Sequence, residues 1–317
     1  MPMTRDRLTP SYYEPLRTPP EVIGWASEPD TLGPGSPAKV GILELGFEVL
    51  GGRTELVERF QKAPLHIVKP LWYDPNLPEM AFLILMSSGG GVAQADRYRT
   101  DVRCGPDTLV HLTTQAATKV YRMEHDYATQ LVNIDVGPGA YVEYLPDPLI
   151  PFKDARYYQR TEVTVAPGGT VVLGDTLTAG RLARNERHQY RVLATDLRII
   201  RPDGRLLAVD TLRLQPEDPG SGSKGVLGPG VLAGYDHVAS LFVATDRRPA
   251  DEVADTLHRA LAGAGLPYGV SVLPYDCGAW LRLVGDGPVE VARAQRTAWD
   301  AVRRLLIGRP APDLRKP

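Results

Sequence analysis

Three carboxylates stand where the surrounding sequence reads as strand and a fourth follows a glycine turn, and these four are the residues of this chain best placed to do chemistry. Asp175 follows Val171-Val172-Leu173-Gly174, and Asp210 sits inside Leu206-Leu207-Ala208-Val209-Asp210-Thr211-Leu212. Glu143 lies between Val142 and Tyr144, and Asp96 follows the glycine-rich run Ser87-Ser88-Gly89-Gly90-Gly91. A charged group in an apolar strand must be paired, wetted or bound to metal. Jointly, these acids would line a polar interior. Oxygen ligands without a complete His or Cys cage hold a divalent ion weakly, and a weak site suits passing the ion on. Taken singly, each acid also reads as a solvated face or an ordinary ion pair with one of the many arginines. At period two, Asp210 can simply face solvent between inward apolar neighbours.

Other chemistries find less support. Gly220-Ser-Gly222-Ser-Lys-Gly225 has dinucleotide-loop spacing, but Gly228-Pro229-Gly230 follows it and no helix opens there. The Ser87 to Gly91 run lacks the Gly-Lys-Ser/Thr of a phosphate-binding loop and reads as a turn, with glycine allowing close backbone approach. His66, His111, His125, His188, His237 and His258 show no metal-ligand spacing with one another or with a cysteine. There is no Gly-x-Ser-x-Gly elbow. An enzyme using the acids as acid and base stays the weakest reading.

The elements that must position the acids follow from apolar periodicity. Leu43, Leu45, Phe47 and Val49 share one strand face, and Gly51-Gly52 turns the chain into Thr54 to Phe60 as a hairpin. Short apolar runs follow at Ile67 to Tyr73, Ala81 to Met86, Thr108 to Thr113, Leu131 to Val136, Ala140 to Leu145, Thr161 to Val165 and Thr170 to Leu173. Leu197 to Ile200 and Leu206 to Leu214 flank the turn Arg201-Pro202-Asp203-Gly204. Residues 39–214 therefore predict a many-stranded β body. Residues 1–38 predict a Pro-rich, poorly ordered extension, with Tyr12, Tyr13 and Trp25 able to dock on the body. Residues 215–230 predict a flexible Gly/Pro/Ser connector. Residues 231–308 predict a separate αβ segment with two helices. One starts at Pro249 with the stripe Val253, Leu257, Leu261; the other runs from Pro288 to Gly308 with Val291, Ala298, Trp299, Val302, Leu305 and Leu306. Residues 309–317 form a tail.

The chain has 317 residues, with 36 Lys plus Arg against 38 Asp plus Glu for a net charge of −2, which argues against a nucleic-acid or anionic-membrane surface. Two distant cysteines, Cys104 and Cys277, predict no disulfide framework and a cytoplasmic setting. The first residues lack a signal-peptide pattern, and no apolar run reaches the roughly 20 residues of a membrane helix.

Five landmarks then follow in order. They are Gly90-Gly91 with Asp96; Thr114-Gln115-x-x-Thr118-Lys119-x-Tyr121-Arg122; Glu143-Tyr144-Leu145-Pro146-Asp147-Pro148 with Ile150-Pro151-Phe152; Gly180-Arg181 with Glu186; and Trp299-x-x-x-Arg303. Over roughly residues 40 to 308 the chain resembles the UreD (UreH) family of urease accessory proteins. The resemblance implies a mainly β, β-helical scaffold rather than an enzyme. It implies partners UreF, the GTPase UreG and apo-urease, and transient nickel(II) rather than a tightly bound cofactor. It places Asp96, Asp175 and Asp210 where the family has acids on a nickel route, and adds Glu186; Glu143 joins them as a strand-embedded acid. Thr114, Gln115, Lys119, Tyr121, Arg122, Pro146, Asp147 and Arg181 become structural or partner-contact residues. A structural adaptor that never touches metal is the alternative. Ala95 and Asn185 stand where the family usually has glycine. Asn tolerates a left-handed backbone, while Ala there is strained. The end Asp313 to Pro317 also departs from the family's Arg-Ile-Trp type tail.

Overall fold

The computed structural model describes residues 7, 9–27, 40–72, 74–216 and 225–314. In chain order the strands are β1 Val40–Leu50, β2 Arg53–Lys62, β3 Leu65–His66, β4 Ala81–Ser87, β5 Arg97–Cys104, β6 Leu109–Thr114, β7 Thr118–Val120, β8 Ala128–Val136, β9 Tyr141–Tyr144 and β10 Leu149–Pro151. They continue with β11 Arg156–Val165, β12 Thr170–Thr178, β13 Gly180–Arg181, β14 Glu186–Arg187, β15 Val192–Ile200, β16 Leu206–Leu214, β17 His237–Ala244, β18 Tyr268–Val272 and β19 Gly278–Gly285. The helices are α1 Pro10–Tyr13, α2 Pro20–Ile23, α3 Ala250–Leu261 and α4 Pro288–Ile307.

From β4 onward the chain alternates between two sheets, and each return adds a parallel neighbour to the strand laid down one coil earlier. The result is a β-solenoid of about four turns. One sheet runs β16-β15-β11-β8-β5-β1-β2, with hairpin strands β2 and β16 antiparallel at its edges. The other runs β18-β19-β17-β12-β9-β6-β4-β3. Parallel stacking in register puts like residues over like. Leu45, Val102, Ile134, Val163, Ile199 and Ala208 form one buried inner row across six strands. That repetition lets short strands share one apolar core between the sheets.

The αβ segment is not the separate unit expected after the connector. Strand β17 pairs antiparallel with β12 over eight residues and so extends the solenoid's own sheet. Its burial on both faces is the physical reason: β17 packs inward on the solenoid core and outward beneath α3 and α4. Val253, Leu257 and Leu261 of α3 are buried as the spacing predicts, as are Val291, Ala298, Trp299, Val302 and Leu306 of α4. Gly308 caps α4 with φ +66°. Connector residues 217–224, which include the Gly220 to Lys224 part of the glycine run, lie outside the described residues.

Two further readings are corrected. Within the expected strand Ile67 to Tyr73 the described residues make only a single bridge, from Leu71 to Phe82, and β3 ends before it at His66; Pro70 has no N–H to give, and Tyr73 lies outside the described residues. The extension is not wholly loose. Residues 9–27 strap the outer face of the first sheet, with Tyr13 packed on Val40 and Ile42 and Val22 on Tyr127, Tyr158 and Val192. Arg7 and Tyr12 bond Glu44, and Ser27 accepts the Asp126 amide. The remainder of 1–38 lies outside the described residues.

Candidate functional site: an acid pair between the sheets

The inner row one step from the core row runs Leu43, Thr100, Val132, Thr161, Leu197 and Asp210 in register. Asp210 therefore faces into the solenoid, not out from it. On the opposite sheet, Asp175, Ser240 and Arg282 are direct neighbours across β12, β17 and β19. The two acids meet at a small cavity that Gln159, Thr161 and Thr195 also line. It offers about 30 Å³ of room for solvent. One water needs roughly 10–15 Å³ on this measure, so the space holds a couple of waters.

Arg282 reaches across the gap between sheets. Its Nη2 donates to Asp210 Oδ2 at 2.5 Å and its Nε to Ser240 Oγ at 3.2 Å. Among the described residues, no arginine bonds Asp175. Burial, and then the Asp210 charge, raise its pKa from 3.8 to about 6, against the opposing pull of Arg282 and the Thr176 amide. Tyr144 is the common wall between this cavity and a larger one of about 330 Å³. Gly91, Tyr98, Thr114, Gln115 and Lys119 line the larger cavity.

The other three candidate acids lie elsewhere. Asp96 is buried, and its carboxylate accepts from the Ala93 amide at 2.6 Å and Tyr98 Oη at 2.7 Å. It thereby closes the turn in which Ala95 takes the strained φ of +59°. Glu143 points to the outer face of its sheet, beneath α4. It is fully buried and accepts from Trp299 Nε1 at 2.9 Å and Tyr141 Oη at 2.8 Å, with His111 Nδ1 at 2.7 Å. Arg303 lies 3.6 Å away and also bonds Asp74 at 3.0 Å. Burial alone would raise the Glu143 pKa; His111, Arg303 and Trp299 outweigh it and hold it below the ordinary value. Glu186 forms a two-pronged pair with Arg181, which holds its pKa down, and Asn185 before it is left-handed at φ +59°. Among the described residues, no three His, Cys, Asp or Glu side chains group to hold a metal ion.

The motif residues have mechanical tasks. Thr114 Oγ1 receives the Asp147 amide at 2.8 Å and donates to its carboxylate at 3.3 Å, tying two coils together. The Gln115 amide bonds Leu85 O. Lys119 O and the Tyr121 amide pair with Val92, Tyr121 packs edge-on to Phe152, and Arg181 stacks over that ring at 3.9 Å. Arg122 lies 3.6 Å from Asp154. Pro146 lines both the acid cavity and a groove beneath α4 that Asp147 also borders. Sequence reading missed Arg282, Ser240, His111 and Gln295. Arg282 carried the same signal as the acids, a charge between Leu281 and Leu283.

Fold and site together define a β-solenoid scaffold with a half-buried acid pair at one edge of its interior. A model of the UreD urease accessory protein family matches residues 39–317. Urease accessory protein UreD 2 of Streptomyces griseus is 70% identical over 292 residues, 92% of this chain and 99% of the relative. Urease accessory protein UreD of Haloarcula marismortui is 37% identical over 284 residues, 89% of this chain and 92% of the relative. UreD 3 of Methylorubrum populi is 33% identical over 301 residues, 94% of this chain and 95% of the relative. The chain belongs to the UreD urease accessory protein family. Among the described residues, no helix is long and apolar enough to cross a membrane.

Proposed function

We propose that this chain is a non-catalytic scaffold in urease maturation that docks on apo-urease with UreF and UreG and conducts nickel(II) through the space between its sheets. Family membership supports the role in maturation. The observation that carries the nickel reading is the meeting of Asp175 and Asp210 at a polar-lined cavity between the two sheets. Two carboxylates with water between them attract a divalent cation without caging it. Binding of UreF is assigned to exposed surface that includes the C-terminal αβ segment, where Tyr275 and Val289 are 69% and 61% exposed.

The test substitutes Asp175→Ala and Asp210→Ala, singly and together, in cells co-expressing urease and its accessory proteins. Pull-downs should show an intact complex, while urease nickel content and activity fall. Normal nickel loading by the double variant would remove the route. A second reading is a structural adaptor that never contacts metal. It draws on Asp96, Glu143 and Glu186, all three of which are engaged in structural bonds. Charge-neutral substitution at the acid pair with no loss of urease nickel would favour it.

A further inference from the structure

One acid of the pair already holds a cation: Asp210 bonds the guanidinium of Arg282. Asp175, Ser240 and Arg282 are cross-strand neighbours, and Arg282 leans over Ser240 to bond Asp210 on the opposing sheet. The side chains of Arg282 and Asp210 keep 32% and 24% exposure, so the bridge stands at an edge of the interior rather than in its depth. A guanidinium carries one positive charge and faces two carboxylates, so one acid remains uncompensated. Among the described residues, the Asp175 carboxylate has the Thr176 amide as a donor but no ion pair and no side-chain donor. In this same position the Arg282 guanidinium lies 5.4 Å from the Trp280 ring centroid, a cation-attracting face close at hand, and Trp280 stacks on Phe242 at 5.9 Å.

We propose that Arg282 is the resident counter-cation and gate of the acid pair, displaced towards the Trp280 face when a divalent cation takes its place between Asp175 and Asp210. This rests on the nickel reading above. A divalent ion matches both carboxylates where the guanidinium matches one, so exchange leaves the cavity closer to neutral. While Arg282 is in place, its charge repels a second cation. The closed state thus keeps the polar interior free of monovalent ions, and the open state holds the divalent ion only as tightly as the displaced ion pair allows. Arg282 is a positioning and selectivity residue here, and the metal ligands are the acids.

The experiment titrates nickel(II) chloride into the full-length protein and into Arg282→Met, Arg282→Lys and Arg282→Met/Asp210→Asn, with calorimetry for affinity and thermal melts for folding. Removing a neighbouring like charge should tighten nickel binding by about 10-fold in Arg282→Met. Arg282→Lys, which keeps the charge, should stay near the parent protein, and the double variant should lose the gain. A purely structural bridge predicts a lower Tm without tighter binding, and that result overturns the gate. If Arg282→Met binds no tighter than the parent protein but Arg282→Met/Asp210→Asn binds more weakly than either, the gate fails and the nickel route stands. If no protein in the series binds nickel, the route and the gate fall together.

Discussion

Trp299 donates its indole N–H to Glu143 Oε1 at 2.9 Å, joining two positions 156 residues apart. The bond fastens α4 to the outer face of the sheet whose inner face carries Asp175. Gln295, one turn earlier on α4, bonds the backbone oxygens of Asp175 and Ser240. One helix thus holds both the buried Glu143 cluster and the strand backbone beneath the acid pair. Glu143→Ala would leave the Arg303 guanidinium without its second carboxylate at a fully buried site. The expected cost is about 3–5 kcal/mol, with Glu143→Ala/Arg303→Met costing less than the two single changes summed. Urea unfolding of the three variants measures it; simple additivity would show that the charges do not interact.

Asp175 sets a pH dependence. Its folded pKa of about 6 lies above the ordinary 3.8, so folding favours the protonated carboxyl. That contribution is complete at low pH and is lost as pH rises through this window; above about pH 6 a charged, half-buried acid remains. Asp175→Asn removes the ionisation. The Tm advantage of Asp175→Asn over the parent protein should grow between about pH 4 and 6 and then level off. A difference that stays flat across the window would place Asp175 in a better-solvated setting.

Gly91 is fixed by a close approach. A Cβ there would lie 2.5 Å from Lys119 O, the oxygen that receives the Val92 amide at 2.7 Å. Gly91→Ala should cost about 1–3 kcal/mol by forcing these coils apart. A Cβ at Gly263 would meet only open space, and Gly263→Ala should be neutral or slightly stabilising. Chemical denaturation of the pair compares them directly, and equal effects would mean the coil edge yields without cost.

The N-terminal strap contributes through Tyr13 and Val22, which are 1% and 0% exposed. Tyr13→Ala should destabilise by about 3 kcal/mol or more, in line with aromatic truncation in a core. Proteolysis should then cut first within residues 9–27. Unchanged melting would mean the strap rests on the sheet without stabilising it.

Elements with a clean period were legible from the residues alone. The β1–β2 turn at Gly51-Gly52, the β15–β16 hairpin, and α3 and α4 lie close to where the spacing put them. Strand β5, Arg97–Cys104, was not legible, because Arg97, Arg99, Asp101 and Arg103 interrupt its apolar residues. Its inward Tyr98, Thr100, Val102 and Cys104 make sense only against the neighbouring coils. For the acids the difficulty was parity. Alternation shows that Glu143 and Tyr144 point to opposite faces, but both faces of that sheet are covered, one by the other sheet and one by α4. Nothing local says which side a charge enters. Pairing of His111 with Glu143 across β6 and β9 settles it, and that is long-range information.

The register that stacks Leu43, Thr100, Val132, Thr161, Leu197 and Asp210 makes the inner row a ruler. Each strand adds one spacing of about 4.8 Å. A coil inserted between β8 and β11 would lengthen the interior by that increment while leaving Gly91 near one end and Asp210 near the other chemically unchanged. The spacing between those two ends is thus set by how many times the chain goes round, independently of the side chains that line them.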